Sequence, residues 1–248
     1  MARGRTQDLA AIREAVGRIV STDDVDPYAK VGVYGPNGSG KTRFAATAPD
    51  VLIIDTGDKG TRSTVGSGAM VFEADTFADI GYIYWYLKSG KHKYKSFALD
   101  TVTGLQRLAM SMVLGEADER NPSRPSKQPD KRDYGRAGQL SNGMLYAFHG
   151  LPMHAIFTAR ERTITDEDTG AVIETTLDLP AGVRGVTMDL VGVLGWMEPK
   201  RSKGKRVDTM RVGPHSEYRT KDRTNQLGDL VIRPTMPKVI EAWNNVEE

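Results

Sequence analysis

Continuous apolar runs and segments with helical spacing of apolar residues follow each other along the chain, and this order predicts an α/β protein. Short runs of continuous apolar residues are typical of strands buried on both faces of a parallel sheet. Such runs occur at Lys30–Tyr34, Val51–Asp55, Ser96–Thr101 and Met153–Thr158. Between them, apolar residues at helical spacing predict helices at Phe77–Leu87, Gly104–Leu114 and Gly138–Phe148. A shorter helix is predicted at Lys41–Ala48, where Pro49 ends it. We therefore expect a mainly parallel sheet flanked by helices.

The pattern changes in the C-terminal part of the chain. Arg162–Thr165 and Ala171–Thr175 flank the turn Asp168–Gly170 and predict a hairpin. Arg206–Val212 is a further predicted strand, paired back across the basic turn Arg201–Gly204. Antiparallel strands are thus expected beside the parallel ones.

Two segments precede or interrupt this core. Residues 1–27 are predicted to form an amphipathic helix (Gln7–Ile19) and a linker, so that residues 28–248 form a single domain. Glu116–Tyr134 is polar, contains three prolines and is predicted as a surface loop, or as a loop that becomes ordered on DNA.

Composition narrows the possible chemistry. The chain of 248 residues contains no cysteine, so disulfides, thiol nucleophiles and cysteine-bound zinc are excluded, and the cytoplasm is the expected compartment. Mean hydropathy is -0.44, and no apolar run approaches the roughly 20 residues of a membrane-spanning helix. Four histidines lack metal-binding spacing, which leaves Mg²⁺ as the expected metal. A net charge of +2 does not decide whether nucleic acid binds, although Lys200–Arg206 is a dense basic run.

One motif carries most of the functional information. Gly35-Pro36-Asn37-Gly38-Ser39-Gly40-Lys41-Thr42 matches G-x-x-x-x-G-K-[ST] and lies between a predicted strand and a predicted helix. Its glycines let successive backbone N–H groups point at the phosphates of a nucleotide. Lys41 is expected to reach the β- and γ-phosphates, and the Thr42 hydroxyl to bind Mg²⁺.

A second candidate metal ligand ends the strand Ser96–Asp100. In a phosphate-loop enzyme, a carboxylate at this position binds Mg²⁺ beside the threonine of the loop, which makes Asp100 the preferred candidate. Asp55 is an alternative, because it also ends a buried strand.

The order of these pieces resembles the RecA-like ATPases, and in particular the small phage-encoded RecA/Rad-type ATPases of single-strand annealing and recombination. The resemblance lies in Gly35–Thr42, Val51–Thr56, Phe97–Leu105, His154–Arg160 and Tyr218–Arg223. It implies a RecA-like core and a DNA-dependent ATPase that assembles head to tail, as a ring or filament, on single-stranded DNA. ATP would lie between neighbouring subunits in the cytoplasm of the host cell, and a single-strand-binding protein is a further implied partner.

The resemblance also implies roles for individual residues. A glutamate two residues after the second strand commonly positions the attacking water, but Gly57 stands there, so Asp58 is the candidate, with Glu73, Asp75 and Asp79 as alternatives. Thr158 would sense the γ-phosphate, and Arg160 and Arg162 would connect its strand to a DNA loop. Lys221 and Arg223 would reach the ATP of a neighbouring subunit.

Two other functions fit the phosphate loop. One alternative is a P-loop kinase that acts on a small acceptor, with Glu116–Arg136 as a lid over the phosphates. The other is an assembly or packaging protein in which the bound nucleotide sets a conformation without turnover.

Overall fold

A computed structural model describes residues 11–14, 16, 17, 19, 21, 27–120, 128–202 and 204–245. Most of the predicted segment 1–27 lies outside the described residues, although residues 11–14 are helical. The strands are β1 (Lys30–Gly35), β2 (Val51–Asp55), β3 (Met70–Glu73), β4 (Ser96–Asp100), β5 (His154–Thr165), β6 (Val172–Leu177), β7 (Val193–Ser202), β8 (Lys205–Arg211), β9 (Lys221–Asp222) and β10 (Leu230–Ile232). The helices are α1 (Lys41–Ala45), α2 (Phe77–Lys88), α3 (Val102–Arg120), α4 (Lys131–His149), α5 (Ala181–Leu190) and α6 (Met236–Asn244), with a 3-10 turn at Gly60–Thr64.

The sheet has the strand order β10-β8-β7-β1-β5-β4-β2-β3. Its centre, from β7 to β3, is parallel, and β1, β2 and β4 are buried along their whole length. Burial on both faces explains why these strands are continuous apolar runs in the sequence. The predicted α/β core, with a mainly parallel sheet flanked by helices, is confirmed.

The antiparallel C-terminal strands are also confirmed. β6 pairs with the outer half of β5 as the predicted hairpin, with Thr163 opposite Thr175. β8 pairs with β7, and β10 with β8. Because β7 is parallel to β1, this arrangement brings the C-terminal strands next to the strand that precedes the phosphate loop.

The prediction that Glu116–Tyr134 is a loop is wrong at both of its ends. Helix α3 continues to Arg120, and α4 begins at Lys131 after the capping residue Asp130; residues 121–127 lie outside the described part. The Asp130 carboxylate accepts hydrogen bonds from backbone N–H groups of the first turn, and Asp133 bonds back to the N–H of Asp130. This capping box stabilises a helix start in a polar sequence.

Helices cover both faces of the sheet. One apolar cluster packs α2, α3 and α4 against the sheet through Phe97, Phe148 and Phe157, and the other packs α1 and α6 through Phe44 and Met236. The helix after the phosphate loop ends at Ala45, three residues before the predicted end. Among the described residues, no helix has the length and apolar character needed to cross a membrane.

Candidate nucleotide site

The motif Gly35–Thr42 forms a tight loop between β1 and α1. Gly35, Gly38 and Gly40 have φ angles of 152°, 75° and 101°, a region that L side chains rarely occupy. Gly40 also lacks room, since a Cβ there would lie 2.6 Å from Oδ2 of Asp208. The positive φ angles therefore favour glycine at these three positions, and Gly40 in addition lies against the Asp208 side chain of β8.

Lys41 lies inside this loop. Its side chain is only 8% exposed, and Nζ donates hydrogen bonds to the carbonyl oxygens of Gly35 (2.8 Å) and Pro36 (2.9 Å). Burial lowers the pKa of Lys41, and the nearby carboxylate of Asp100 opposes that shift. The ammonium group is thus fixed next to the backbone that would surround a phosphate.

Asp100 and Thr42 are adjacent, as the sequence predicted for two ligands of one metal. The Thr42 hydroxyl donates to Oδ2 of Asp100 at 2.8 Å, and the Thr158 hydroxyl donates to Oδ1. Asp100 is 2% exposed, and burial raises its pKa despite these hydrogen bonds. The Asp100–Thr101 peptide bond that follows is cis.

The oxygen atoms of Thr42 and Asp100 fit Mg²⁺. This ion prefers hard oxygen ligands and is usually held by one or two carboxylates together with phosphate oxygens and water. Within the described residues, no cluster of three or more His, Asp or Glu could hold a metal by itself. A cation here would need the phosphates of a nucleotide as additional ligands.

Asp55 is engaged in a different way. Its Oδ1 accepts hydrogen bonds from the backbone N–H groups of Gly57 (2.8 Å), Asp58 (3.1 Å) and Lys59 (3.4 Å). These contacts shape the turn after β2, and the other oxygen, Oδ2, lies 3.4 Å from the Thr61 hydroxyl. Asp55 stays the alternative metal ligand, and Asp100 is preferred because it contacts Thr42, the other proposed ligand.

The turn held by Asp55 places Asp58 against Arg160 in the middle of β5. Oδ1 of Asp58 forms an ion pair with Nη2 of Arg160 at 2.7 Å, and Oδ2 accepts a hydrogen bond from the Thr101 hydroxyl at 3.1 Å. Asp58 thus lies between Thr101, which follows β4, and Arg160 within β5, and its charge also influences the pKa of Lys41.

The other candidate acids lie on the flank of the sheet. Glu73 ends the outermost parallel strand and is exposed. Asp79 caps helix α2 by accepting hydrogen bonds from the backbone and side chain of Thr76, contacts that lower its pKa. Asp75 donates its backbone N–H to the same carboxylate.

Arg206 is a site residue that sequence reasoning missed. The sequence predicts it only as the end of a basic run and the start of a strand, yet its guanidinium donates to the carbonyl oxygen of Gly38 and, through Nε, to Oδ1 of Asp208 at 2.8 Å. Arg43 of helix α1 binds the other oxygen of Asp208 at 2.6 Å. The pairing of β8 with β7 brings this cation to a loop 168 positions earlier in the chain, and no local sequence pattern reports such a contact.

These groups border a cavity over the phosphate loop. It has a volume of about 300 Å³ and is lined by Gly38–Arg43, Gly60, Ser63 and Arg206. Two arginines and Lys41 make its lining strongly cationic, as binding of a polyphosphate requires.

Strand pairing places Lys221 and Arg223 level with the amino end of β1, whereas the phosphate loop of the same chain follows its carboxyl end. Strand β9 pairs Asp222 with Val193, which lies level with Val31 at the amino end of β1. Nζ of Lys221 donates to the carbonyl oxygen of Met188 at 2.6 Å, and burial lowers the pKa of this lysine. Arg223 is exposed.

The phosphate loop, the buried acid beside its threonine and the strand order define the chain as a P-loop nucleotide-binding protein. Residues 28–224 match the model of a family described as an AAA domain, and the chain belongs to this family.

Similar solved structures include a KaiC-like protein from the hyperthermophilic archaeon Pyrococcus horikoshii OT3, at 11% identity and a TM-score of 0.41, covering 74% of this chain and 77% of that one. They also include the RadB recombinase, at 14% identity and a TM-score of 0.43, covering 83% and 89% of the two chains. A search of curated proteins returned no match.

Proposed function

We propose that the protein is an ATPase whose turnover depends on single-stranded DNA. The observation that carries the nucleotide part is the hydrogen bond between Thr42 and Asp100 beside the loop that holds Lys41. Thr42 and Asp100 would hold Mg²⁺, which supplies positive charge to the β- and γ-phosphate oxygens when it is bound.

Hydrolysis of ATP requires positive charge around the γ-phosphate and an oriented water molecule. Lys41 and Arg206 supply charge at the loop. Asp58 is the proposed water-positioning residue, and its ion pair with Arg160 orients the carboxylate. Thr158, which already contacts Asp100, is the proposed sensor of the γ-phosphate.

The remaining charge is proposed to come from a second copy of the chain. Lys221 and Arg223 lie level with the amino end of β1, whereas the phosphate loop follows its carboxyl end. This separation favours their action on the ATP of a neighbour in a head-to-tail ring or filament. ATP bound between subunits would then control assembly.

We place this ATPase in recombination or strand annealing, with a phage as the proposed origin and a single-strand-binding protein as a proposed partner. The link to DNA would run through β5, which continues from Thr158 at the phosphate site through Arg160 and Arg162 into the hairpin with β6.

Turnover of ATP, measured with and without single-stranded DNA, tests the proposal. Wild-type protein should hydrolyse ATP faster with DNA, and Lys41→Ala should lower turnover at least about a hundredfold, because charge stabilisation at the phosphates is lost. Lys238→Ala, which removes a lysine of the C-terminal helix, is the control and should behave as wild type. Turnover that requires a small acceptor would identify a kinase, and binding without turnover would identify a nucleotide-gated assembly protein.

A further inference from the structure

Helix α2 exposes three aromatic side chains on one face. Tyr82, Trp85 and Tyr86 are 71%, 63% and 44% exposed, and their spacing of three and four residues places them side by side. The opposite face of the helix is anchored in the core by Ile80, Ile83 and Leu87. Single exposed apolar residues are common, but a contiguous group of large aromatics on a rigid helix is typical of a binding surface.

The second half of helix α2 and the segment that follows it are strongly basic. Ile80–Leu99 contains four lysines and no acidic residue. Nζ of Lys88 lies 4.9 Å from the centre of the Trp85 ring, and Lys91 and Lys93 are exposed in the turn that follows. Lys95 is paired with Asp50 at 3.2 Å. We call Tyr82, Trp85, Tyr86, Lys88, Lys91 and Lys93 the aromatic–lysine face.

The one acidic residue of helix α2 lies at the end opposite the lysines. Asp79 lies in the first turn, where its carboxylate is occupied by Thr76 and by the backbone N–H of Asp75. Asp50, an acid near the turn after the helix, is already paired with Lys95. This charge distribution favours a polyanionic partner over an apolar protein surface.

We infer that the aromatic–lysine face binds single-stranded nucleic acid, an inference that rests on the proposed DNA-dependent function. Unpaired bases stack on exposed aromatic rings whatever their sequence, and lysines alongside follow the phosphate backbone. The two features occur together here on one helix and its following turn. A duplex, whose bases are stacked on each other, would use only the lysines.

The location separates this surface from the nucleotide site. Helix α2 begins after the carboxyl end of β3 and leads back to the start of β4. Strands β3 and β4 run in the same direction in the sheet. Lys88–Lys93 therefore lie towards the amino edge of the strands, whereas the phosphate loop follows the carboxyl end of β1. DNA contacts can be removed here without touching the residues of the phosphate loop.

Fluorescence anisotropy of a labelled oligothymidylate, longer than the roughly 4–16 nucleotides of typical single-strand sites, tests the inference with the full chain. Trp85→Ala/Tyr86→Ala should weaken binding about tenfold or more, because two stacking platforms are lost. Tyr134→Ala removes an aromatic that is 54% exposed on α4 and should leave the affinity unchanged. Circular dichroism and melting temperature establish that each variant is folded.

A second variant addresses the charge separately and alters only an exposed turn. Lys91→Ala/Lys93→Ala should reduce the slope of log affinity against log salt by about 1.4, as expected for two lost phosphate contacts on a single strand. Lys238→Ala should leave that slope unchanged. Quenching of Trp85 emission on addition of DNA, absent in Trp85→Phe, would support direct stacking.

The outcomes distinguish this inference from the function on which it rests. If wild-type protein fails to bind the oligothymidylate under all nucleotide conditions, the DNA-dependent function is overturned and this surface loses its ligand with it. If wild-type protein binds and both double variants bind equally well, only the aromatic–lysine face is rejected. A change of oligomeric state in Trp85→Ala/Tyr86→Ala, with unaltered DNA affinity, would also reject it and identify a contact between copies.

Discussion

Among single residues, Asp100 combines deep burial with contacts to the hydroxyl groups of Thr42 and Thr158. Hydroxyl groups stabilise its charge less than a cation would, which is why burial raises its pKa. Buried carboxylates with a raised pKa are characteristic of functional sites. They reduce the stability of the fold and are kept because the chemistry of the site needs them.

Replacing this charge should therefore stabilise the protein while removing activity. We expect Asp100→Asn to raise the free energy of unfolding by about 1 kcal/mol near neutral pH and to abolish turnover that requires a divalent cation. Because the native pKa of Asp100 is raised, the wild-type carboxyl contributes a destabilisation that appears as pH rises through that pKa. The stability gain of Asp100→Asn should thus be largest at neutral pH and shrink on acidification towards the unfolded pKa of about 3.9.

Thermal melts of both proteins at several pH values measure this difference. Asp55→Ala is the comparison, since removing a carboxylate that accepts three backbone N–H groups should lower stability, by about 1–3 kcal/mol. An Asp100→Asn variant that melts below wild type at neutral pH would contradict the interpretation of Asp100 as a strained site.

At the scale of elements, the β7–β8 hairpin acts as one wall of the phosphate site. Strand alternation places Arg206 and Asp208 on the same face of β8, and both contact groups around the phosphate loop. Asp208 joins two arginines, Arg43 and Arg206, that would otherwise repel each other. The hairpin thus fixes the position of a second cation in the cavity that Lys41 also lines.

Arg206→Ala should weaken the binding of ATP about tenfold, the effect of losing one charge-assisted hydrogen bond. Lys205→Ala changes the adjacent exposed residue of the same strand and should bind ATP as wild type does. Isothermal titration calorimetry with a non-hydrolysable analogue measures both affinities. Equal affinities for the two variants would show that Arg206 only supports the loop.

The sequence predicted those parts of the site that are local. The phosphate loop follows from eight consecutive residues, and Asp100 from a strand that ends in an acid. Arg206 could not be found in this way, because its contact with Gly38 depends on which strands pair across the sheet. The start of α4 was missed because capping by Asp130 stabilises a helix whose polar sequence is typical of a loop. The last turns of α3 are polar too, and there Glu116 forms ion pairs with Arg120 and with Arg136 of α4.

At the scale of the whole molecule, the position of Lys221 predicts a dependence on assembly. A site completed by a neighbour should show turnover per subunit that rises with protein concentration. Lys221→Ala should bind ATP as wild type does and lose this concentration-dependent turnover.

Mixing two inactive variants gives a sharper test. In equal mixtures of Lys41→Ala and Lys221→Ala, about a quarter of randomly formed head-to-tail interfaces combine an intact phosphate loop with an intact Lys221. We therefore expect about a quarter of wild-type turnover to return on mixing, measured as phosphate release. No recovery would place Lys221 outside the neighbouring site. A mixture of Lys41→Ala with Lys238→Ala, which keeps Lys41 and Lys221, is the control and should give about half of wild-type turnover.

The two hydrogen bonds from Lys41 to the carbonyl oxygens of Gly35 and Pro36 have a kinetic consequence. The loop is held in shape by its own lysine, so an incoming phosphate exchanges partners with Lys41 instead of ordering a disordered segment. On release, the same carbonyl groups recapture the ammonium and lower the barrier to departure. An ammonium group with alternative hydrogen-bond partners suits a site that must replace spent nucleotide repeatedly. We expect ADP to dissociate from this loop faster than it would if Lys41 lacked these two carbonyl partners.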